Sequence, residues 1–174
     1  MISTVIIDAQ VQDRNKTVSL LAAHNNIKVL GQGKDAYDAL KLIGNLKPDI
    51  AILDNNLEFI EGEELPPLIK ARSPSTAIVL LTAKISDYQL YRAVANAVSG
   101  FVHRKADFDT LPWILTSIHE GRCFISPSFS ASILGLLSRA KWKSINRYHS
   151  NSKRLNTTVP PDNDPTACLS KTEL

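Results

Sequence analysis

Short apolar runs alternate with longer amphipathic segments along the first 120 residues of the chain. The apolar runs predict five buried strands of the parallel type, at residues 4–7, 27–30, 49–54, 77–81 and 100–103. The segments between them carry apolar residues at helical spacing, as in Ala36, Ala39, Leu40 and Ile43. Strands that alternate with helices at short intervals predict a parallel sheet covered by helices on both faces.

The helix boundaries follow from local signals. The first predicted helix ends near residues 24–26, and the third ends near Ser73. The second runs from about Asp35 to before Pro48, the fourth from about Ser86 to Ala97, and the fifth from about Asp107 to Glu120. Pro66 and Pro67 suit the first turn of the third helix, and Gly121 suits the C-terminal stop of the fifth. We therefore expect an α/β fold: a doubly wound, five-stranded, flavodoxin-like sheet of order 2-1-3-4-5, followed by an extra C-terminal helix and a linker.

Polar residues close three of the predicted strands. Asp8 follows the first strand, Asp54 ends the third, and Thr82 follows the fourth. Open α/β sheets bind their ligands at the carboxyl ends of the strands, and this order opens its crevice between the first and third strands. Taken singly, each residue is explained by a helix cap or a turn. Their convergence indicates that Asp54 is, or descends from, a phosphate-accepting aspartate surrounded by Asp8, Thr82 and Arg104.

Composition narrows the class of protein. Of 174 residues, 44% are hydrophobic and 21% charged, which is typical of a globular chain. No apolar run approaches the roughly 18 residues of a membrane span, and the N-terminus has no signal-peptide pattern. Cys123 and Cys168 lack metal-type spacing, so we interpret them as reduced thiols of a cytoplasmic protein.

The composition changes after the predicted helix at about 127–140. Residues 139–154 contain six basic side chains and no acid, and the proline-bearing segment 160–165 is typical of an extended linker. Residues 170–173 read Ser-Lys-Thr-Glu, a capping-box pattern that opens a helix. We expect a domain at 1–122, a linker at 123–168, and the start of a truncated further domain at 169–174.

These residues resemble the receiver domain of bacterial response regulators, more narrowly the NarL/FixJ type with a LuxR-like helix-turn-helix output. The resemblance implies that Asp54 is phosphorylated and that Asp8, Asp54 and the backbone carbonyl of Asn56 hold Mg²⁺. It also implies that Thr82 supplies the hydroxyl group after strand four and that Phe101 is the switch aromatic of strand five. The implied partners are a sensor histidine kinase, a second copy of the chain, and DNA through the C-terminal domain, with no membrane.

The pocket departs from the family pattern at three positions. Ala9 stands where receivers carry a second acid, Glu58 replaces a proline, and Arg104 falls at the lysine position with Lys105 one step on. These departures predict weak magnesium binding and leave open which of the two basic residues enters the pocket.

Three functional classes remain open from the sequence. The first is a response regulator that controls transcription, with no enzymatic activity beyond autocatalytic phosphoryl transfer to Asp54. The second is a phosphorylation-independent pseudo-receiver that acts in dimerisation or protein interaction. An aspartate-nucleophile phosphatase is less favoured, because the sequence offers neither a second acid poised as general acid nor a substrate-specifying insert.

Overall fold

The fold was obtained as a computed structural model, which describes residues 1–54, 57, 59, 60, 63–135 and 138. One compact unit spans Met1–Leu136. Its strands are β1 (Ile2–Ile7), β2 (Ile27–Gly33), β3 (Ile50–Leu53), β4 (Phe59–Ile60), β5 (Glu63–Glu64), β6 (Ala77–Thr82), β7 (Gly100–His103) and β8 (Phe124–Ile125). Its helices are α1 (Val11–Ala22), α2 (Ala36–Leu46), α3 (Leu65–Arg72), α4 (Asp87–Ala95), α5 (Leu111–His119) and α6 (127–135).

The main sheet has six strands in the order β2-β1-β3-β6-β7-β8, and β4 and β5 form a separate antiparallel pair. The first five strands follow the predicted doubly wound order, so the fold class is confirmed. The predicted strand count of five is wrong, because β8 adds a sixth parallel strand beside β7. A strand of only two residues is too short to produce a periodic pattern in the sequence.

The core consists of two apolar layers, one on each face of the sheet. Successive residues of a strand point to opposite faces, and β3 shows this alternation at the centre of the sheet. Ile50 and Ile52 pack with residues of α1 and α5, whereas Ala51 and Leu53 pack with residues of α2, α3 and α4. Both faces of β3 are therefore buried, which explains why its sequence is an uninterrupted apolar run.

Several predicted boundaries hold. Asp35 caps α2 by accepting a hydrogen bond from the Asp38 amide at 2.9 Å, and Ser86 forms a capping box with Gln89 at the start of α4. Pro66 and Pro67 lie in the first turn of α3. Gly121, with φ of +87°, ends α5 in a conformation that favours glycine.

Two boundaries were placed wrongly. The second strand continues through Gly31 to Gly33 instead of stopping at residue 30, because parallel pairing with β1 outweighs the low strand propensity of glycine. The fifth helix begins at Leu111 and not at Asp107. The Asp107 carboxylate instead accepts a hydrogen bond from the His103 amide at 2.8 Å, which holds the segment after β7 in a turn.

Some expectations fall outside the described residues. They concern Asn56, Glu58, the basic segment 139–154, the linker to residue 168 and the segment 169–174. The extra helix predicted at about 127–140 is described at residues 127–135 and at residue 138. Among the described helices, none combines the length and the apolar character that a membrane crossing requires.

Candidate functional site

The predicted site residues meet at the carboxyl edge of the sheet. Asp8 follows β1, Asp54 follows β3, Thr82 ends β6, and Arg104 follows β7. Backbone hydrogen bonds between strands fix three of them: the Asp54 amide donates to the Ile7 carbonyl at 2.9 Å, and the Arg104 amide donates to the Thr82 carbonyl at 2.9 Å. The parallel register thus brings together residues that lie up to 96 positions apart in the chain.

Arg104 is the centre of the pocket. Its Nη1 lies 2.7 Å from Asp8 Oδ2, and its Nη2 lies 3.1 Å from Asp54 Oδ1. The same Nη2 donates a hydrogen bond to the Leu81 carbonyl at 3.0 Å, and Nη1 lies 3.7 Å from Asp13 Oδ2. The planar guanidinium therefore bridges the two aspartates that end β1 and β3.

The charged groups in these contacts are largely buried. The side chains of Asp8 and Asp54 are 4% and 8% exposed, and that of Arg104 is 16% exposed. A buried carboxylate is costly unless it is paired with a positive charge and hydrogen-bonded. Both aspartates meet this requirement through Arg104, so the pocket is an ion-pair network that excludes most of the solvent.

The N-cap and the first turn of α1 supply further polar contacts to Asp8. The Gln10 amide donates to Asp8 Oδ1 at 2.8 Å, and Arg14 Nη1 donates a short hydrogen bond to the Asp8 carbonyl. Arg14 is not among the site residues that the sequence predicts. The available signal was its position one turn into the helix that follows Asp8, which directs its long side chain back toward the strand end.

Thr82 and Phe101 lie in the positions that the resemblance implies, but their present contacts are structural. The Thr82 hydroxyl donates to the Lys84 carbonyl at 2.7 Å and accepts from the Lys84 amide at 3.3 Å, which holds the turn after β6. Phe101 is only 3% exposed and belongs to the apolar layer that also contains Phe129 of α6. The signalling roles of Thr82 and Phe101 stay predictions.

The structure resolves which basic residue enters the pocket. Lys105 is exposed, and its amide donates to His103 Nδ1 at 3.2 Å. The Ala106 amide donates to the same nitrogen at 3.1 Å, so the His103 ring closes the turn after β7. This turn aims Arg104, and not Lys105, toward Asp8 and Asp54.

The described pocket does not fit a resident divalent cation. Magnesium needs an octahedral shell of oxygen atoms, and Ala9 supplies none. The carboxylates of Asp8 and Asp54 are both engaged by the guanidinium of Arg104. Within the described part of the chain, no group of three or more His, Cys, Asp or Glu residues is arranged to hold a metal ion.

The family of the chain follows from this fold and from a family model. The model for the response regulator receiver domain matches residues 4–116, which is most of the chain. The chain therefore belongs to the receiver-domain family of two-component response regulators. Receiver domains commonly bind Mg²⁺ at their phosphorylation site.

Curated relatives are response regulators. The transcriptional regulatory protein LnrK of Bacillus subtilis is 26% identical over 159 residues, which are 91% of this chain and 72% of LnrK. The response regulator protein VraR of Staphylococcus saprophyticus is 30% identical over 101 residues, which are 58% of this chain and 48% of VraR. The chain thus matches about half the length of VraR.

A solved receiver domain has the same fold. It is the signal receiver domain of the putative response regulator NarL from Mycobacterium tuberculosis, with a TM-score of 0.64 and 22% identity. The match covers 70% of this chain and 98% of that domain. The resemblance to the NarL type is therefore supported at the level of the fold.

Proposed function

We propose that this receiver accepts a phosphoryl group on Asp54 from a sensor histidine kinase and thereby regulates transcription through a C-terminal DNA-binding domain. The observation that supports it best is the position of Asp54 at the end of the central strand, within 3.1 Å of a cationic guanidinium. Phosphoryl transfer depends mainly on positioning and on charge neutralisation. Asp54 and Arg104 provide both elements.

The chemistry takes place on the protein's own side chain. A carboxylate oxygen of Asp54 attacks the phosphorus of the donor, the leaving group departs, and an acyl phosphate forms. The product carries roughly −1.5 to −2 charges. Arg104 lies beside this position and supplies positive charge. The protein is then not an enzyme toward other substrates, and its reaction is autocatalytic modification.

We propose that the reaction is slow and that any magnesium site formed by Asp8, Asp54 and the Asn56 carbonyl is weak. Ala9 removes one carboxylate ligand from the usual set. Even changes in groups around metal ligands lower affinity roughly 10–100-fold, so the loss of a direct ligand is expected to cost at least that.

The output side of the proposal rests on the C-terminal part of the sequence and on the relatives. Residues 169–174 resemble the opening of a LuxR-like DNA-binding domain, and LnrK is described as a transcriptional regulatory protein. Phe101 on β7 packs in one layer with Phe129 on α6, and α6 precedes that segment in the sequence. A change at the pocket would reach the output through these contacts. The active form is expected to be a cytoplasmic homodimer.

One observation favours a second function, a pseudo-receiver that works without phosphate. Arg104 already bridges Asp8 and Asp54 in the unmodified protein, through contacts of 2.7 and 3.1 Å. A pocket held in one state by its own arginine can serve dimerisation or protein interaction without any phosphoryl donor.

Labelling by a small acyl-phosphate donor separates the two functions. The double variant Ala9→Asp/Arg104→Lys restores the charge pattern of the family and is expected to acquire phosphate faster than the parent, as measured by mass spectrometry of the intact protein. The two substitutions share one site, so their effects are not expected to add. Asp54→Ala is the control and is expected to abolish the adduct in both backgrounds.

Two results contradict the proposal. A parent protein that never acquires phosphate, while the double variant does, assigns the native chain to the pseudo-receiver function. A parent that is labelled as fast and as completely as the double variant shows instead that Ala9 and Arg104 do not impair the pocket.

A further inference from the structure

Within the described part of the chain, carboxylates from several elements surround the guanidinium of Arg104. Three carboxylates, those of Asp8, Asp13 and Asp54, lie within 4 Å of Arg104 nitrogen atoms, at 2.7, 3.7 and 3.1 Å. They come from the end of β1, from α1 and from the end of β3, so three separate elements converge on one cation.

Several contacts hold the guanidinium of Arg104 in position. Nη1 contacts Asp8, Nη2 contacts Asp54, and the Leu81 carbonyl accepts a further hydrogen bond from Nη2 at 3.0 Å. The Arg104 backbone is held by the Thr82 carbonyl. The guanidinium therefore has oxygen partners from β1, β3 and β6, and a divalent ion bound between the same carboxylates would lie in its place.

We infer that Arg104 is the resident counter-cation of this pocket: its guanidinium neutralises Asp8 and Asp54 in the folded protein and excludes the divalent metal ion from between them. The receiver is then stable without metal, and its pocket takes up Mg²⁺ only when the guanidinium is removed. This inference concerns the unmodified pocket and does not depend on whether Asp54 is phosphorylated.

Divalent-cation titrations of the full chain test the inference without any phosphoryl donor. The midpoint of thermal unfolding of the parent is expected not to change on addition of Mg²⁺, relative to NaCl at equal ionic strength. Arg104→Gln removes the charge and leaves the carboxylates without their cation. Its midpoint is expected to fall on the order of 10 °C in the absence of metal.

The same variant is expected to gain a response to metal. Calorimetry is expected to show Mg²⁺ binding to Arg104→Gln at least roughly tenfold tighter than to the parent. If the Kd reaches about 1 mM, about 10 mM Mg²⁺ should raise the unfolding midpoint by about 5 °C through mass action. In Asp8→Asn/Arg104→Gln this response is expected to disappear, which would place the ion at the Asp8 carboxylate.

A matched control is available at the surface. Arg122 pairs with Glu120 at 2.9 Å, but both side chains are at least half exposed. Arg122→Gln also removes one positive charge from an ion pair, and it is expected to leave both the unfolding midpoint and the metal response unchanged.

Three results would overturn the inference. The first is a parent that binds Mg²⁺ with a Kd below about 1 mM. This result overturns the inference even if Arg104→Gln fails to fold. The second is a folded Arg104→Gln with no tighter metal binding than the parent. The third applies when Arg104→Gln cannot be obtained. The variant Arg104→Lys keeps the charge but loses the planar guanidinium, and Mg²⁺ binding to it that is no tighter than to the parent would overturn the inference.

Discussion

Aspartates make contacts at both ends of the parallel strands, but with different partners. At the carboxyl edge, Asp8 and Asp54 are paired with a buried arginine. At the opposite edge, Asp49 precedes β3, and its Oδ2 accepts hydrogen bonds from the amide and the hydroxyl of Ser3 at 2.8 and 2.7 Å. The Asp49 amide donates in return to Ser3 Oγ at 2.9 Å, which ties β1 to the start of β3.

The contacts with Ser3 predict a pH dependence of stability. The Ser3 hydroxyl, and then the Ser3 amide, lower the pKa of Asp49 below its ordinary value of 3.8, against the opposing effect of burial. A lowered pKa in the folded state stabilises the protein above the unfolded pKa, and this contribution is lost as the pH falls through the folded value. Asp49→Asn is therefore expected to lower the free energy of unfolding at pH 7 by about 1 kcal/mol.

Urea unfolding at several pH values checks this prediction. The difference between the parent and Asp49→Asn is expected to be constant from neutral pH down to about pH 5 and to shrink at lower pH. Ser3→Ala, which removes the hydroxyl partner, is expected to reduce the same pH-dependent difference. A difference that stayed constant down to pH 2 would show that the charge of Asp49 has no role.

At the scale of elements, β2 and α2 approach each other closely at Gly33. The Gly33 carbonyl accepts a hydrogen bond from the Asp8 amide at 3.0 Å, so this glycine also positions the pocket. A Cβ atom at residue 33 would lie 2.6 Å from Asp38 Cβ and 2.8 Å from Ile7 Cδ1. Neither neighbour moves easily, since one is the base of a helical side chain and the other lies in the core.

Two glycine substitutions test the packing of these elements. Gly33→Ala is expected to lower the free energy of unfolding by about 2 kcal/mol, because the added methyl group forces β2 and α2 apart. Gly44→Ala is the matched control within α2, where the nearest atom to an added Cβ is Arg72 Cδ at 3.7 Å. That substitution is expected to stabilise the protein by about 0.5–1 kcal/mol through helix propensity. Equal effects of the two substitutions in denaturant unfolding would refute the proposed close approach.

The strand β7 connects the pocket to the C-terminal helix. Arg104 follows it into the pocket, while the ring of His103 lies 5.6 Å from the ring of Phe129 on α6. The Phe101 carbonyl accepts a hydrogen bond from the Ser126 amide at 2.8 Å. Two adjacent residues, His103 and Arg104, therefore contact helix α6 and the pocket.

At the scale of the whole molecule, positive charge is concentrated in one segment of the sequence. The net charge is only +3, yet residues 139–154 carry six basic side chains and no acid. Phosphate neutralisation requires only positive charge, so this segment is expected to bind DNA weakly and without sequence preference. Sequence-specific recognition would need contacts to base edges in addition to these phosphate contacts.

Salt titration of DNA binding checks this expectation. If all six cations contact phosphates, the slope of log K against log salt is expected to be about −5, and it is less steep if fewer take part. Replacing the six residues by glutamine is expected to abolish binding. Sequence-selective binding by this chain that persists at high salt would contradict the prediction.

The sequence by itself determined the alternation of five main strands with five helices and the polar residues that close three of these strands. Buried parallel strands require uninterrupted apolar runs, and the polar residue after each run marks the edge of the sheet. Asp8, Asp54 and Thr82 were found in this way. The fold class followed from the alternation of short apolar runs with segments that carry apolar residues at helical spacing. The capping and proline signals at Asp35, Ser86 and Pro66 are local, so they too were readable from neighbouring residues.

Only the tertiary structure decided how the pocket is charged. Arg104 and Lys105 are adjacent in the sequence, and the choice between them depends on a turn closed by His103 and Asp107. The bridge to Asp8 and Asp54 depends on strand register across the sheet, and β8 exists only because β7 offers an edge to pair with. The ion-pair bridge and the pairing of β8 with β7 join residues far apart in the chain, so no local pattern encodes them.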